Sequence, residues 1–146
     1  MKHAPSRHRR GSSMVEAAII FPVLLYMVFG CVDFGQFLYI KHTMQGAARE
    51  GARAGSTPNT TNADVTTAVG NSMRAAGYLP AKYTVKIRNA ADTADISVAQ
   101  SAGTPILVRV ESTWSTVGVG TCRVLGLPLI SPTKVVFGAT TMRKEG

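Results

Sequence analysis

A glutamate, Glu16, stands directly before residues 17–32, an apolar run that contains no charged side chain. A carboxylate at the edge of such a run is costly to bury unless a partner satisfies it. Ser13 precedes Glu16 by three positions, which is the S-x-x-E spacing of a capping box, where the glutamate closes the first turn of its own helix. This use of the carboxylate requires no partner chain.

Residues of the kinds used in catalysis and metal binding are sparse. The histidines are His3, His8 and His42, so neither a metal site nor a Ser/His/Asp triad has candidates in the later part of the chain. Cys31 lies in the apolar run and Cys122 in a distal loop, so we expect no disulfide. The acidic residues of the later part are scattered. We therefore expect no enzymatic activity, no metal, no cofactor and no small-molecule substrate.

The positive charge of the chain is concentrated at its N-terminus. The formal net charge is +8, and Lys2, Arg7, Arg9 and Arg10 all precede the apolar run. Basic residues directly before an apolar helix are typical of a cytoplasmic flank under the positive-inside rule. Elsewhere no basic patch is interleaved with aromatic residues, so nucleic-acid binding is not expected.

The apolar run has the length of a membrane span. From Glu16 to Asp33 an α-helix rises about 26 Å, close to the roughly 30 Å hydrocarbon thickness of a bilayer. A secretory signal peptide would need small residues soon after the run, but they come only at 47–55. A retained single-pass anchor fits better.

The helix is predicted to continue beyond the membrane. The stretch "YIKHTMQGAAREGARAGS" contains no proline, and a helix from Ser13 to Gly55 would be about 63 Å long, so half of it projects. Small residues recur at fourfold spacing and predict close packing of another helix, although a flexible, glycine-weakened helix end is the alternative. These packing residues are Ala47, Ala48, Gly51, Ala52 and Gly55.

Two further residues of the run carry predictions. Pro22 lies inside the helix, removes a backbone hydrogen bond and is expected to bend the rod within the membrane, although transmembrane prolines are often tolerated. Asp33 ends the uncharged run, and we expect it to be hydrated at the outer interface, with a basic group on a partner helix as the alternative.

Residues 56–146 are predicted to form a small α+β head. The polar stretch 56–64 breaks the first helix, and a second, amphipathic helix follows, with Thr61 or Asn62 as cap and Gly77 as stop. Alternating apolar residues then predict four antiparallel strands packed on the second helix and the base of the first. The strand residues are Tyr83, Val85 and Ile87; Ile96 and Val98; Ile106, Val108 and Val110; and Val135, Phe137 and Ala139.

The segment "CRVLGLPLI", residues 122–130, is too short to span a membrane. We expect it to form a lid over the small core, and otherwise a patch that binds a partner. The domain organisation predicted from the whole sequence is a basic leader at 1–11, a transmembrane and projecting helix at 12–55, and the exported head at 56–146.

These features resemble a known family. A basic leader that ends in Gly11, with Glu16 at the fifth position after it and a long apolar helix behind, is similar to type IV pilins and pseudopilins. More specifically, residues 11–55 resemble the TadE-like family, pilin-like accessory proteins of the tight-adherence (Flp) pilus machinery. The resemblance rests on the E-A-x-x-x-P-x-L-L opening, the D-F-G-Q motif and the "AAREGARAG" segment, and the terminal "ATTMRKEG" is also similar to the family.

The resemblance implies a single-pass inner-membrane protein with a cytoplasmic N-terminus and a periplasmic or extracellular head. It implies that prepilin peptidase cuts between Gly11 and Ser12, and that Glu16 then pairs with the new amine of a neighbouring pilin-like subunit. The expected partners are the membrane, the peptidase, other pilin-like subunits and the Tad pilus machinery. Ser12 departs from the bulky apolar residue of major type IV pilins. Ala17 replaces the tyrosine of the major Flp pilin, which favours an accessory subunit.

A second interpretation from another functional class is an uncleaved single-pass protein with an exported binding domain, such as an adhesin or envelope sensor. A third, a secreted domain released by signal peptidase, predicts a mature chain that begins near Gly55.

Overall fold

A computed structural model of the protein describes residues 10–124 and 126–145. The fold is α+β, as predicted, with a long first helix, a short second helix and an antiparallel sheet. In chain order the elements are α1 (Arg10–Ser56), α2 (Asn62–Ala75), a 3₁₀ turn (Pro80–Lys82), β1 (Thr84–Asn89), β2 (Pro105–Thr113), α3 (Trp114–Val117), α4 (Thr121–Val124) and β3 (Val135–Arg143). Most of the basic leader, residues 1–9, lies outside the described residues.

The second helix begins at a capping box. The Thr61 side chain accepts a hydrogen bond from the Asp64 amide, and the Asp64 carboxylate accepts one from the Thr61 amide at 2.9 Å. Hydrogen bonds from Thr61 hold the pKa of Asp64 below its usual value. Val65, Val69 and Met73, spaced by four residues, form the buried face of α2. The amphipathic helix predicted from the sequence is confirmed.

The sheet has three strands in the order β1-β2-β3, both pairs antiparallel. The fourth strand predicted at Ile96 and Val98 is wrong. The chain turns back after β1 and pairs only through a single bridge between Arg88 and Asp95. Val98 is fully buried, and its amide donates to the Asn62 side-chain oxygen at 2.7 Å. The residue therefore packs at the start of α2 instead of extending the sheet.

The hydrophobic core of the head is built on the C-terminal part of α1. Ile40, Met44, Ala47, Ala48 and Ala52 of this helix are each at most 2% exposed. They form one cluster with the buried residues of α2 and the sheet. The predicted boundary between residues 12–55 and 56–146 thus runs through a shared core. Release of a secreted domain near Gly55 would remove this core surface.

The edge strand β3 lies against the backbone of α1. The Ala139 amide donates to Gln45 Oε1 at 3.2 Å, and Gln45 Nε2 donates to the Ala139 carbonyl at 2.8 Å. A Cβ atom at Gly138 would lie 2.3 Å from the Gln45 backbone nitrogen. Only glycine permits this approach. The Gln45 side chain thereby satisfies backbone groups of a strand that would otherwise present a free edge.

The end of the chain closes the end of α1. Lys144 is 7% exposed, and its ammonium group donates to the carbonyls of Gly55 at 3.2 Å and Thr57 at 2.5 Å. The Glu145 amide donates to the Ser56 carbonyl at 2.8 Å. A cation at a helix C-terminus is favourable because it satisfies free carbonyls and complements the helix dipole.

A charged cluster covers the outer face of the sheet. Arg109 forms ion pairs with Asp92 and Glu111, and its guanidinium carbon lies 4.1 Å from the centre of the Phe137 ring. Burial would raise the pKa of Asp92, but hydrogen bonds and charge from Arg109 and Arg88 outweigh it and lower that pKa. The exposed Phe137 ring is thus partly covered by a cation.

Gly51 allows α1 to approach both of its neighbours. A Cβ atom there would lie 2.5 Å from Val69 Cγ2 of α2 and 3.2 Å from Val108 Cγ1 of β2. We expect Gly51→Ala to lower the free energy of unfolding by about 1–3 kcal/mol through overpacking. Gly46, on the same helix, has no atom within 4 Å of such a Cβ. Gly46→Ala is therefore the matched control and should stabilise by up to about 1 kcal/mol.

Chemical denaturation of the purified chain in detergent measures both variants. Equal effects of the two substitutions would contradict the packing described for Gly51.

Candidate functional site

The first turns of α1 contain no buried side chain among the described residues. Residues 13–24 are all exposed, and an 18-residue apolar window of the helix contains no buried residue. This is the helix that is long and apolar enough to cross a membrane. Between residues 13 and 28 its large exposed apolar side chains are Met14, Val15, Ile19, Ile20, Phe21, Val23, Leu24, Met27 and Val28. The structure is thus compatible with single-pass membrane anchoring.

Glu16 lies on this exposed apolar surface. Its carboxylate forms no hydrogen bond or ion pair with any side chain in 13–123 or 126–145. The backbone is already helical at Arg10, so Ser13 lies within the helix and not at its cap. The Ser13–Glu16 capping box is therefore not formed in the uncut chain. Gly11 and Ser12 belong to the same helical backbone.

Pro22 lies inside α1, and the helix continues through it to Ser56. The Pro22 ring is exposed on the side of the helix where Tyr26 and Leu127 line a shallow apolar groove. The bend expected at Pro22 stays a prediction.

Asp33 joins the exposed apolar half of α1 to the head. The carboxylate is 2% exposed, and it accepts hydrogen bonds from the Thr121 amide at 2.6 Å and the Cys122 amide at 2.9 Å. These amides are free donors at the start of α4, where a carboxylate is favoured as a cap. The expectation of a hydrated aspartate is wrong, because Asp33 is buried against these amides. The alternative of a basic group on a partner helix stays a prediction. We call this contact the Asp33 clasp.

Two further contacts lie beside the Asp33 clasp on one face of α1. Gln36 Oε1 accepts from the Val119 amide at 3.2 Å. The Phe37 ring meets the Trp114 ring edge-on, with centroids 5.8 Å apart and an interplanar angle of 61°. Because residues three and four apart share a helix face, Asp33, Gln36 and Phe37 together hold the chain that follows β2.

The segment at 122–130 forms only part of the predicted lid, because Ile130 packs against the core cluster of the head but the leucines before it do not. Cys122 is buried, but Leu127 and Leu129 are 63% and 46% exposed. They lie beside α1 near Tyr26 and Gly30, away from the core of the head. The Asp33 clasp explains the difference, because it ties the start of this segment to the apolar half of α1.

The stripe of small residues lies inside the head. Ala47, Ala48 and Ala52 are at most 2% exposed, and Gly51 and Gly55 are also buried. The helix that approaches this stripe is α2 of the same chain, through Val65 and Val69. The structure thus assigns the stripe an intramolecular neighbour.

The sequence contains a signal for the contact between α1 and the chain that follows β2, although the sequence-based prediction did not include this contact. Asp33, Gln36 and Phe37 repeat at helical spacing on one face just beyond the apolar run. Gly118 and Gly120 lie directly before the amides of Val119 and Thr121, which this face binds, and glycines mark a turn that can expose backbone donors. What the sequence lacked was the pairing between segments more than 80 positions apart.

Comparison with known families gives a match to this part of the chain. Residues 11–53 match the family model of TadE-like proteins. These residues lie within α1, and we call them the TadE-like segment because of this match. The match extends from the glycine before Ser12 to the packing stripe, so the resemblance drawn from the sequence is confirmed over this range. No curated protein and no solved structure matches the chain.

The TadE-like segment includes Asp33, and substitution of this residue tests the Asp33 clasp directly. Asp33→Ala leaves the Thr121 and Cys122 amides without an acceptor, and an unsatisfied buried donor costs about 1–3 kcal/mol. We expect hydrogen exchange at these two amides to accelerate by about tenfold or more, with an intermediate effect for Asp33→Asn. Glu50→Gln, an exposed acid on the same helix, is the control. Unchanged exchange in Asp33→Ala would refute the clasp.

Proposed function

We propose that this chain is a membrane-anchored, pilin-like accessory subunit (pseudopilin) that takes part in assembly or initiation of a tight-adherence pilus. The observation that carries the proposal is that the family match and an uncovered apolar surface lie in the same segment. The residues that match TadE-like proteins include the helix surface that has no partner in the described chain, and Glu16 lies on that surface. An apolar helix of this kind must be covered by lipid or by other helices.

The proposed location is the inner membrane, with the N-terminus in the cytoplasm and the head in the periplasm or outside the cell. The four basic residues of the leader support this orientation. Drawing them through the hydrocarbon would cost on the order of 10 kcal/mol, at about 2.5–3.5 kcal/mol each. An uncut chain is therefore held in the membrane.

Cleavage between Gly11 and Ser12 would remove this restraint. Prepilin peptidase would leave an α-amino group on Ser12, four residues before Glu16. In an assembly of helices, the Glu16 carboxylate of one subunit would accept the Ser12 amine of its neighbour. The exposed position of Glu16 and the absence of a partner among the described side chains favour this role over an internal cap.

The second candidate is an uncleaved single-pass protein whose head binds a ligand or surface, as an adhesin or envelope sensor. The charged outer face of the sheet, where Arg109 and Phe137 are stacked, is the observation that favours it. The two proposals differ in the fate of the leader.

Mass spectrometry of the protein from membranes that contain its native prepilin peptidase separates them. We expect a mature chain that begins at Ser12, and we expect Gly11→Val to block the cut. An intact leader in the wild-type chain would favour the uncleaved binding protein.

A second prediction concerns the carboxylate of Glu16. We expect Glu16→Gln to insert into the membrane normally but to abolish piliation, because the amide has no charge with which to pair the Ser12 amine. Glu50→Gln makes the same chemical change on an exposed, distal part of α1 and should leave piliation unchanged. Electron microscopy of the cell surface, with membrane fractionation as the insertion control, measures the effect. Normal piliation in Glu16→Gln would exclude the pairing.

A further inference from the structure

We propose that residues 126–130, the GLPLI segment, form a second membrane-contacting element of this protein, whose leucines insert among the lipid acyl chains beside α1. The inference rests on the proposed membrane anchor and adds a contact that the helix alone does not provide. It places the near side of the head in the outer leaflet instead of above it.

The first argument is the depth of Leu127 in the bilayer. The Tyr26 hydroxyl lies 3.5 Å from the Leu127 carbonyl oxygen, so Leu127 is level with Tyr26 on α1. From Ser13 to Tyr26 a helix rises only about 20 Å, whereas from Ser13 to Asp33 it rises about 30 Å, which matches the hydrocarbon core. A bilayer of ordinary thickness therefore extends past Tyr26 and includes the position of Leu127.

The second argument is the surface of the segment. Leu127 and Leu129 are 63% and 46% exposed, and their side chains are continuous with the apolar surface of α1 near Tyr26 and Gly30. In water this surface would be unfavourable, at roughly 25 cal/mol per Å² of apolar area. Continuity with the membrane-facing helix identifies the occupant as lipid.

The third argument is the backbone. Irregular chain enters hydrocarbon only where its polar groups are satisfied. The Gly126 amide donates to the Arg123 carbonyl at 3.0 Å, and the Leu127 amide to the Cys122 carbonyl at 3.4 Å. Pro128 has no amide hydrogen. The first three positions of the segment therefore bring no free donor to the lipid.

Charged residues border the segment on the side of the head. Arg123 and Lys134 are both exposed, and Lys134 lines the same apolar surface groove as Leu129. An apolar tip with basic residues at its rim is typical of segments that insert at a membrane interface, because the cations reach phosphate groups. With the Asp33 clasp between them, helix and segment would hold the molecule in the membrane at two points and limit rotation of the whole molecule about the axis of α1.

The test is spin-label accessibility in the full-length chain, reconstituted in phosphatidylethanolamine/phosphatidylglycerol nanodiscs. Single labels are placed at Leu127→Cys, at Ile19→Cys as the reference within the span, and at Met142→Cys as the distal apolar control. The background carries Cys31→Ala and Cys122→Ala. Near-UV circular dichroism of the single tryptophan, which is 3% exposed, verifies the fold of each variant.

We expect the Leu127 label to resemble the Ile19 label and to collide several-fold more often with oxygen, which dissolves in the bilayer, than with a water-soluble nickel chelate. The Met142 label should collide more often with the nickel chelate. A nickel-accessible Leu127 label beside a lipid-exposed Ile19 label would overturn this inference and leave the anchor standing. Spin–spin broadening at Leu127 alone would also overturn it, because a second copy would then cover the segment. A nickel-accessible Ile19 label would refute the membrane anchor itself.

Discussion

The close approach of α2 and β3 to α1 is the constraint on which the rest of the structure depends. Glycine at position 51 admits α2, and glycine at position 138 admits β3, so that the helix lies within van der Waals contact of both. The residues after α1 form a small sheet and one amphipathic helix, and these cover the core only when α1 supplies its small-residue face. The head is thus built on α1, not attached to its end.

This arrangement couples the two halves of the molecule. The same 47-residue helix carries Glu16 on its apolar surface and Met44 in the core of the head. The Asp33 clasp and the Phe37–Trp114 contact stiffen the junction, where a projecting rod would otherwise be free to bend. A force or displacement applied to the apolar half would therefore reach the head through continuous helix, as the proposed assembly role requires.

Local rules predicted most of the elements because their signals lie within one segment. The apolar run, the Thr61 cap and the alternating strands are read from spacing alone. The predictions that were wrong all concerned contacts between segments that lie far apart in the sequence. Val98 alternates like a strand residue but is buried against α2, and Asp33 looks like a hydrated interfacial acid until the turn before Cys122 is placed against it. Sequence spacing could not show which surface each of these residues meets.

The claim that the head is built on α1 is tested most directly by the near-UV circular dichroism of a fragment that comprises residues 56–146. Trp114 is buried beside Phe37 of α1, so its signal depends on that helix. The account predicts that the fragment lacks the native tryptophan bands and a cooperative unfolding transition, and that a longer fragment beginning at Asp33 restores both. Native bands and cooperative unfolding in the 56–146 fragment would contradict it.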